Sequence, residues 1–360
     1  MSDIRSSASE EGSRSEEAVR LDDLLDQHLF GLPDQDSTQL MLNIALGAGA
    51  TRAARALCDA GVLAGLSQGV AALQRATAFG RVQLVEDLVL EYGVDVNGYN
   101  DGVYPLHIAL QAQNFTLVET LVRLGADVTA KNFRQETPMH WAIYYGSPNA
   151  VELFKERGAD IDAEDNNRLR PLHWAIDTER FTIAAMLLAW GADPCCKTVE
   201  GVTPLHFTAY RNSHIARLVI EAGADVNALV NQTQQAALHV ACNTCDVNFV
   251  RLLLEHGARV DLGDDVENYP MHYAAQNREH GPAMIVLLKE FGAQVDSVDE
   301  EGGTPLHDAV TLGLVDCAAA LLEAGADPYL RNKESKSPLD LAQAAEDRDL
   351  RSAFEHYLKR

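Results

Sequence analysis

Apolar and polar positions follow a pattern that the chain keeps repeating. The stretch Arg170–Ile176 reads RPLHWAI, and it recurs as YPLHIAL at Tyr104, TPMHWAI at Thr137, TPLHFTA at Thr203, AALHVAC at Ala236, YPMHYAA at Tyr269 and TPLHDAV at Thr304. The second position of each copy falls at 105, 138, 171, 204, 237, 270 and 305, so steps of 33 residues end in one of 35. A last copy, SPLDLAQ, sets Pro338 another 33 residues on. Pro fixes φ and suits the first helical turn, where its missing N–H has no partner to lose. A Thr ahead of it can cap the helix start with its hydroxyl. Each copy therefore predicts a short inner helix. A second stretch follows, such as Phe181–Trp190 (FTIAAMLLAW), with apolar residues at the spacing of a longer outer helix. Gly125, Gly158, Gly191, Gly223 and Gly325 stand just past these stretches, where a left-handed residue ends a helix cheaply.

Fixed self-similarity at this period means a stack of modules, none of which can bury its apolar face alone. The Pro-Leu-His phrase at this spacing resembles the ankyrin repeat over nearly the whole chain. The resemblance implies an all-α ankyrin-repeat solenoid of about nine stacked helix-loop-helix repeats with β-hairpin fingers. Met41–Leu46 and Ala72–Thr77 lack the phrase, yet Ala53–Ala60 and Val82–Leu90 follow them as second helices, so they read as two degenerate repeats. Two units depart from the regular length. The step from Pro270 to Pro305 carries two extra residues, expected around Arg278–Pro282, and Asn227–Gln235 is one residue longer, with Gln234–Gln235 where a finger would place its turn glycine.

The array is expected over residues 39–360. Asp340 replaces His in the last phrase, and Leu350, Phe354 and Leu358 are expected inside a capping helix, with Glu346, Asp347, Arg348 and Arg351 outward. Residues 1–38 form an acidic tail, and the first twenty have almost nothing to bury and are expected to be disordered. Leu21–Phe30 differs, because Leu21, Leu24, Leu25 and Leu29 share one face of an amphipathic helix that either caps the first repeat or docks on a partner.

Composition narrows the function classes. Lys plus Arg number 29 against 53 Asp plus Glu, a net charge of −24, which disfavours nucleic acid and anionic membranes as partners. No run of 18 apolar residues appears, the first seventeen residues have no apolar signal core, and six cysteines stand at no framework spacing. The expectation is a monomeric array in the cytoplasm or nucleus.

Twelve histidines invite a catalytic reading, but His107, His140, His173, His206, His239, His272 and His307 belong to the phrase. In ankyrin repeats that His bonds the backbone and bridges adjacent loops. His239-x-x-Cys242-x-x-Cys245 with His256 has zinc-like spacing. However, His239 is committed to the phrase and Cys242 takes a small core position. Cys195–Cys196 read as packing thiols. No phosphate loop, nucleophile elbow or His-Glu-x-x-His helix is present. The chain therefore reads as no enzyme and needs no cofactor.

The resemblance places the variable contact residues on the finger tips and the exposed side of each inner helix. Carried onto this chain, that surface is rich in Phe133, Arg134, Trp141, Tyr144, Tyr145, Leu169, Trp174, Val202, Phe207, Tyr210 and Arg211. Aromatic residues and Arg dominate interface energies. Trp141, Trp174 and Phe207 could equally pack between helices. Asp264, Asp265 and Glu267 on one finger and Asp299, Glu300 and Glu301 on the next suggest either a basic partner segment or a solvated face. Arg331, Lys333 and Lys336 stand ready to neutralise them in part. The implied function is a non-catalytic protein-binding scaffold or adaptor. The alternatives are a metal- or thiol-dependent protein centred on Cys242, Cys245 and His256, and a secreted bacterial effector that binds a host protein.

Overall fold

The computed structural model describes residues 35–63, 66–211, 215–244, 247–345 and 347–358, and the side chains of 35–37, 66, 210 and 211 fall outside that description. The segment expected near 21–30 lies outside it as well. The chain forms two compact units, Met1–Asn166 and Asn167–Arg360.

The first unit stacks four helix pairs: α1 (Gln35–Ala48) with α2 (Thr51–Asp59), α3 (Leu66–Ala78) with α4 (Val82–Leu90), α5 (Pro105–Gln111) with α6 (Phe115–Arg123), and α7 (Pro138–Tyr144) with α8 (Pro148–Glu156). The second stacks six: α9 (Pro171–Asp177) with α10 (Phe181–Ala189), α11 (Pro204–Arg211) with α12 (Ala216–Glu221), α13 (Ala237–Thr244) with α14 (Val247–Glu255), α15 (Pro270–Gln276) with α16 (Gly281–Glu290), α17 (Pro305–Thr311) with α18 (Val315–Glu323), and α19 (Pro338–Ala344) with α20 (Arg348–Leu358). The described residues thus hold ten pairs rather than about nine, because SPLDLAQ and the helix after it make a complete pair. Each inner helix packs on its own outer helix and on the next inner helix of its unit.

One phrase shows why the pair forms. In α7, Met139, Ala142 and Ile143 are wholly buried, and in α8 so are Ala150, Val151 and Phe154. Burying a side chain the size of Phe154 is worth roughly 1.5–3 kcal/mol.

The phrase histidine works in both directions. Its Nδ1 accepts the backbone N–H of the residue three before it, at 3.1 Å for Thr137 to His140 and 3.0 Å for Thr304 to His307. The Thr hydroxyl contacts the same ring nitrogen, at 2.8 Å for Thr137 and 2.9 Å for Thr304, within a capping box at the helix start. On the far side Nε2–H donates to the next finger: His206 to the Gln235 carbonyl at 3.2 Å, His239 to Leu262 at 2.9 Å and His307 to Lys336 at 3.1 Å. In the last pair Ser337 and Asp340 replace this arrangement. Ser337 Oγ accepts from the Asp340 N–H and Asp340 Oδ2 from the Ser337 N–H, each at 3.1 Å.

The expected β-hairpin fingers are not formed. Among the described residues the fingers are tight turns, with one isolated bridge between Asn100 and Val103. The reason is that a finger closes within five residues on two backbone bonds that share one residue, such as Asn132 N–H to the Glu136 carbonyl at 3.0 Å with Gln135 N–H to the Asn132 carbonyl at 2.9 Å, or Asp264 N–H to Asn268 at 3.0 Å with Glu267 N–H to Asp264 at 3.1 Å. The first residue's side chain fills the turn: Asn132 Oδ1 accepts from Arg134 and Glu136 N–H, and Asp264 Oδ1 from Val266 and Asn268 N–H. Successive tips are then laced by one backbone bond, for example Asn166 N–H to the Arg134 carbonyl at 3.0 Å and Val199 N–H to Asn167 at 3.1 Å.

Both length irregularities fall where the sequence puts them. The finger after Asn227 closes from Val230 to Gln235, one residue wider than its neighbours, with Gln234 at φ +51°. Helix α16 has ten residues where the other outer helices of regular repeats have nine, and Asn277 fills the connection before it. Asn277 donates to the Cys242 and Asn243 carbonyls at 3.0 and 3.2 Å and accepts the His280 N–H. At the C-terminal end α20 buries Leu350 and Phe354, but Leu358, the last residue of the helix, is 44% exposed, contrary to expectation.

Candidate protein-binding surfaces

In the first unit the finger after Ala130 and helix α7 carry five of the expected contact residues. Phe133 is 60% exposed at the finger tip, and its ring lies across Gly102, where an added Cβ would come within 2.9 Å of the ring. Gly102 has φ +85°, so this position suits glycine on both counts. The Arg134 guanidinium sits 5.2 Å from the Phe133 ring centroid. Tyr144 is 51% exposed on the free side of α7, and Tyr145 beside it is half-buried.

Trp141 is half-buried, and its indole N–H donates to Glu136 Oε2 at 2.8 Å. The buried Glu136 also accepts from Asn132 Nδ2 at 2.8 Å and lies 4.0 Å from Arg134. Trp141 thus packs between elements and shows one edge to the surface. Burial and the neighbouring Tyr144 push the Tyr145 hydroxyl to a pKa above its ordinary value, so it stays protonated.

These rings belong to a longer run. Centroid distances are 4.9 Å from Tyr99 to Tyr104, 5.7 Å from Tyr104 to His107, and 5.1 Å from His107 to Trp141. The run continues at 6.0 Å from Trp141 to Tyr145 and 5.1 Å from Tyr145 to Tyr144. Tyr99 is 49% exposed and was not among the expected contacts, since it sits one place outside the finger positions counted back from Pro105. Its nearness to the repeated Tyr-Pro pair was the available signal.

The second unit holds the other six. Leu169, Trp174, Val202 and Phe207 are half-buried, and the Phe207 ring meets His173 at 5.3 Å. Tyr210 and Arg211 end α11, with side chains outside the described residues. Further on, the two acidic fingers are stacked, with Glu300 N–H donating to the Val266 carbonyl at 3.1 Å. Asp264 and Asp299 are not tip charges, since both accept the backbone N–H groups of their own turns, and Asp264 also accepts the Tyr273 hydroxyl at 2.6 Å. The exposed charges are Asp265, Glu267, Glu300 and Glu301. Of the expected neutralising cations, only Lys333 reaches this face, donating to the Glu300 carbonyl. Arg331 pairs with Asp340 at 3.1 Å and Lys336 with Glu334 at 2.8 Å.

Both histidines of the zinc-like spacing are bonded to the backbone. His239 uses both ring nitrogens on the backbone, at Ala236 and Leu262, and His256 Nδ1 bonds the Leu252 carbonyl at 2.8 Å. Cys242 is wholly buried and Cys245 lies outside the described residues. Among the described residues no three His, Cys, Asp or Glu side chains converge, and no helix is long and apolar enough to cross a membrane. Cys196 is buried against His173, while Cys195 is exposed and its Sγ lies 3.4 Å from the Gly223 carbonyl.

Comparison with known proteins agrees with this geometry. The family model for ankyrin repeats (3 copies) matches residues 40–132, 106–198, 191–264 and 260–332. Human B-cell lymphoma 3 protein is 32% identical over 254 residues, covering 68% of this chain and 48% of that protein. The Neurospora crassa ankyrin repeat protein nuc-2 is 30% identical over 137 residues, covering 38% of this chain and 13% of that protein. The chain thus spans about half or less of the length of these curated relatives. Among solved structures, the ankyrin repeat domain of Bcl-3 superposes with a TM-score of 0.53 at 31% identity, covering 61% of this chain and 98% of that domain. The human ASB11 ankyrin repeat domain gives 0.54 at 25% identity, covering 62% and 98%. The repeated phrase, the helix pairs and these matches together show that the chain belongs to the ankyrin-repeat family.

Proposed function

We propose that this protein is a non-catalytic scaffold or adaptor that binds another protein through its finger tips and inner-helix faces. Ankyrin repeats are generally protein-interaction modules, and the phrase histidines His206, His239, His272 and His307 have both ring nitrogens bonded to backbone groups. The observations that carry the reading are in the first unit: the aromatic run ends in Tyr144, which is 51% exposed, and Phe133 on the finger before α7 is 60% exposed. Large apolar side chains grouped at a surface mark contact sites, and aromatic anchors flanked by Arg supply most of an interface's energy. Both sit on a framework already ordered by the stack, so association orders little further.

The test is capture from the native cell with wild type and with the Phe133→Ala/Tyr144→Ala pair. Both substitutions touch exposed side chains, so the fold should be kept and a specific partner lost. Equal capture of that partner by both proteins contradicts the assignment.

A further inference from the structure

The two ends of the described chain are finished differently. Helix α20 closes the C-terminal end by turning Leu350 and Phe354 inward and showing Asp349, Arg351 and Glu355 to water. Stacked repeats need such a polar outer face at each end to stay soluble. Helix α1 does the reverse. Its inner face, Leu42, Ala45 and Leu46, is wholly buried against α2 and α3, whereas Leu40 and Ile44 on the opposite face are 59% and 50% exposed. Residues four apart are neighbours on a helix. Gly47 continues the same row, and the Phe79 ring lies against it, 3.6 Å from where a Cβ would stand, itself 50% exposed. Leu40 and Ile44 on α1 and Phe79 from the turn after α3 thus make one exposed apolar strip.

The sequence immediately before α1 has the composition that covers such a strip. Leu21–Phe30 puts Leu21, Leu24, Leu25 and Leu29 at helical spacing, with Asp22, Asp23 and Asp26 between them. Only Gly31, Leu32, Pro33 and Asp34 separate it from Gln35. A four-residue link containing Gly and Pro is of the length that joins antiparallel helices. Folding back about the middle of that link pairs each residue with the one whose number sums with it to about 65, since both partners advance at the same rise per residue. Leu25 then falls opposite Leu40, and Leu21 opposite Ile44.

We propose that Leu21–Phe30 seats on the Leu40/Ile44 strip as the N-terminal cap of the array, with Leu25 against Leu40 and Leu21 against Ile44 and its aspartates toward water. This does not rest on the partner-binding reading. The test is a double-mutant cycle in the full-length chain, with Leu25→Ala, Leu40→Ala and the pair, followed by thermal melting and by sedimentation. The cap predicts that each single change lowers the melting midpoint and that the second adds little once the first is made, with the protein monomeric throughout. A strip open to water predicts no shift for Leu40→Ala, and that result overturns the proposal. Additive losses, or a self-associating wild type whose dimer Leu40→Ala abolishes, overturn it too, the latter by assigning the strip to a second copy.

Discussion

His206, His239, His272 and His307 must stay neutral, because one ring nitrogen accepts a backbone N–H while the other donates to a carbonyl, and the buried His107 bonds the Glu136 carbonyl through Nε2. Burial, the largest influence, lowers His107 and His206 to about 4, and it lowers His239, His272 and His307 as well. An unfolded histidine binds a proton near its ordinary value of 6.5. Between the two values the unfolded chain takes up protons that the folded chain refuses, so stability falls as pH drops below about 6.5. His107 and His206 should each withdraw about 3 kcal/mol by pH 4. Urea titrations across pH 8 to 4.5 check this: these groups predict a level region above about 6.5 and a steady decline below it. A second residue-scale case is Cys195. Asn97 and Asn227 hold the equivalent place, each donating to a glycine carbonyl, Gly125 or Gly257, and accepting the backbone N–H of Asp127 or Arg259. Cys195 makes only the first contact, with Gly223. Cys195→Asn should therefore stabilise the fold by about 0.5–1.5 kcal/mol in denaturant melts, as a gained hydrogen bond would.

At the scale of elements, the helix pairs were legible because Pro, His and the glycine after each outer helix have separate physical duties that repeat at one spacing. The fingers were less so. A cross-turn bond and a side chain bonded into its own turn do not distinguish a two-stranded hairpin from a closed loop in composition, and Asp264 read as a tip charge although it is the turn's internal acceptor. The insertion between Pro270 and Pro305 was placed correctly, and its tightest point is Gly281. A Cβ there would meet the Ala274 carbonyl oxygen at 2.5 Å and Cys317 Sγ at 2.6 Å. Backbone cannot yield as a side-chain tip can. Gly281→Ala should cost about 1–3 kcal/mol by overpacking, seen as a lower denaturation midpoint with the slope unchanged.

Across the whole molecule, stability is a sum over modules and their contacts, so loss at one finger is local while loss of an end exposes a full apolar face. Of the candidate surface, the positions were readable from the register of the phrase, and Phe133 and Tyr144 stand out as exposed. What the register could not show was that Trp141 is anchored on Glu136 and that Tyr99 extends the run, because both depend on contacts between successive repeats. The most direct measurement is the affinity of the captured partner for purified wild type and for Phe133→Ala/Tyr144→Ala. The account predicts at least about thirty-fold weaker binding at an unchanged melting midpoint, the effect of removing anchors worth about 2 kcal/mol or more. Affinity within two-fold of wild type would place the partner elsewhere and contradict it.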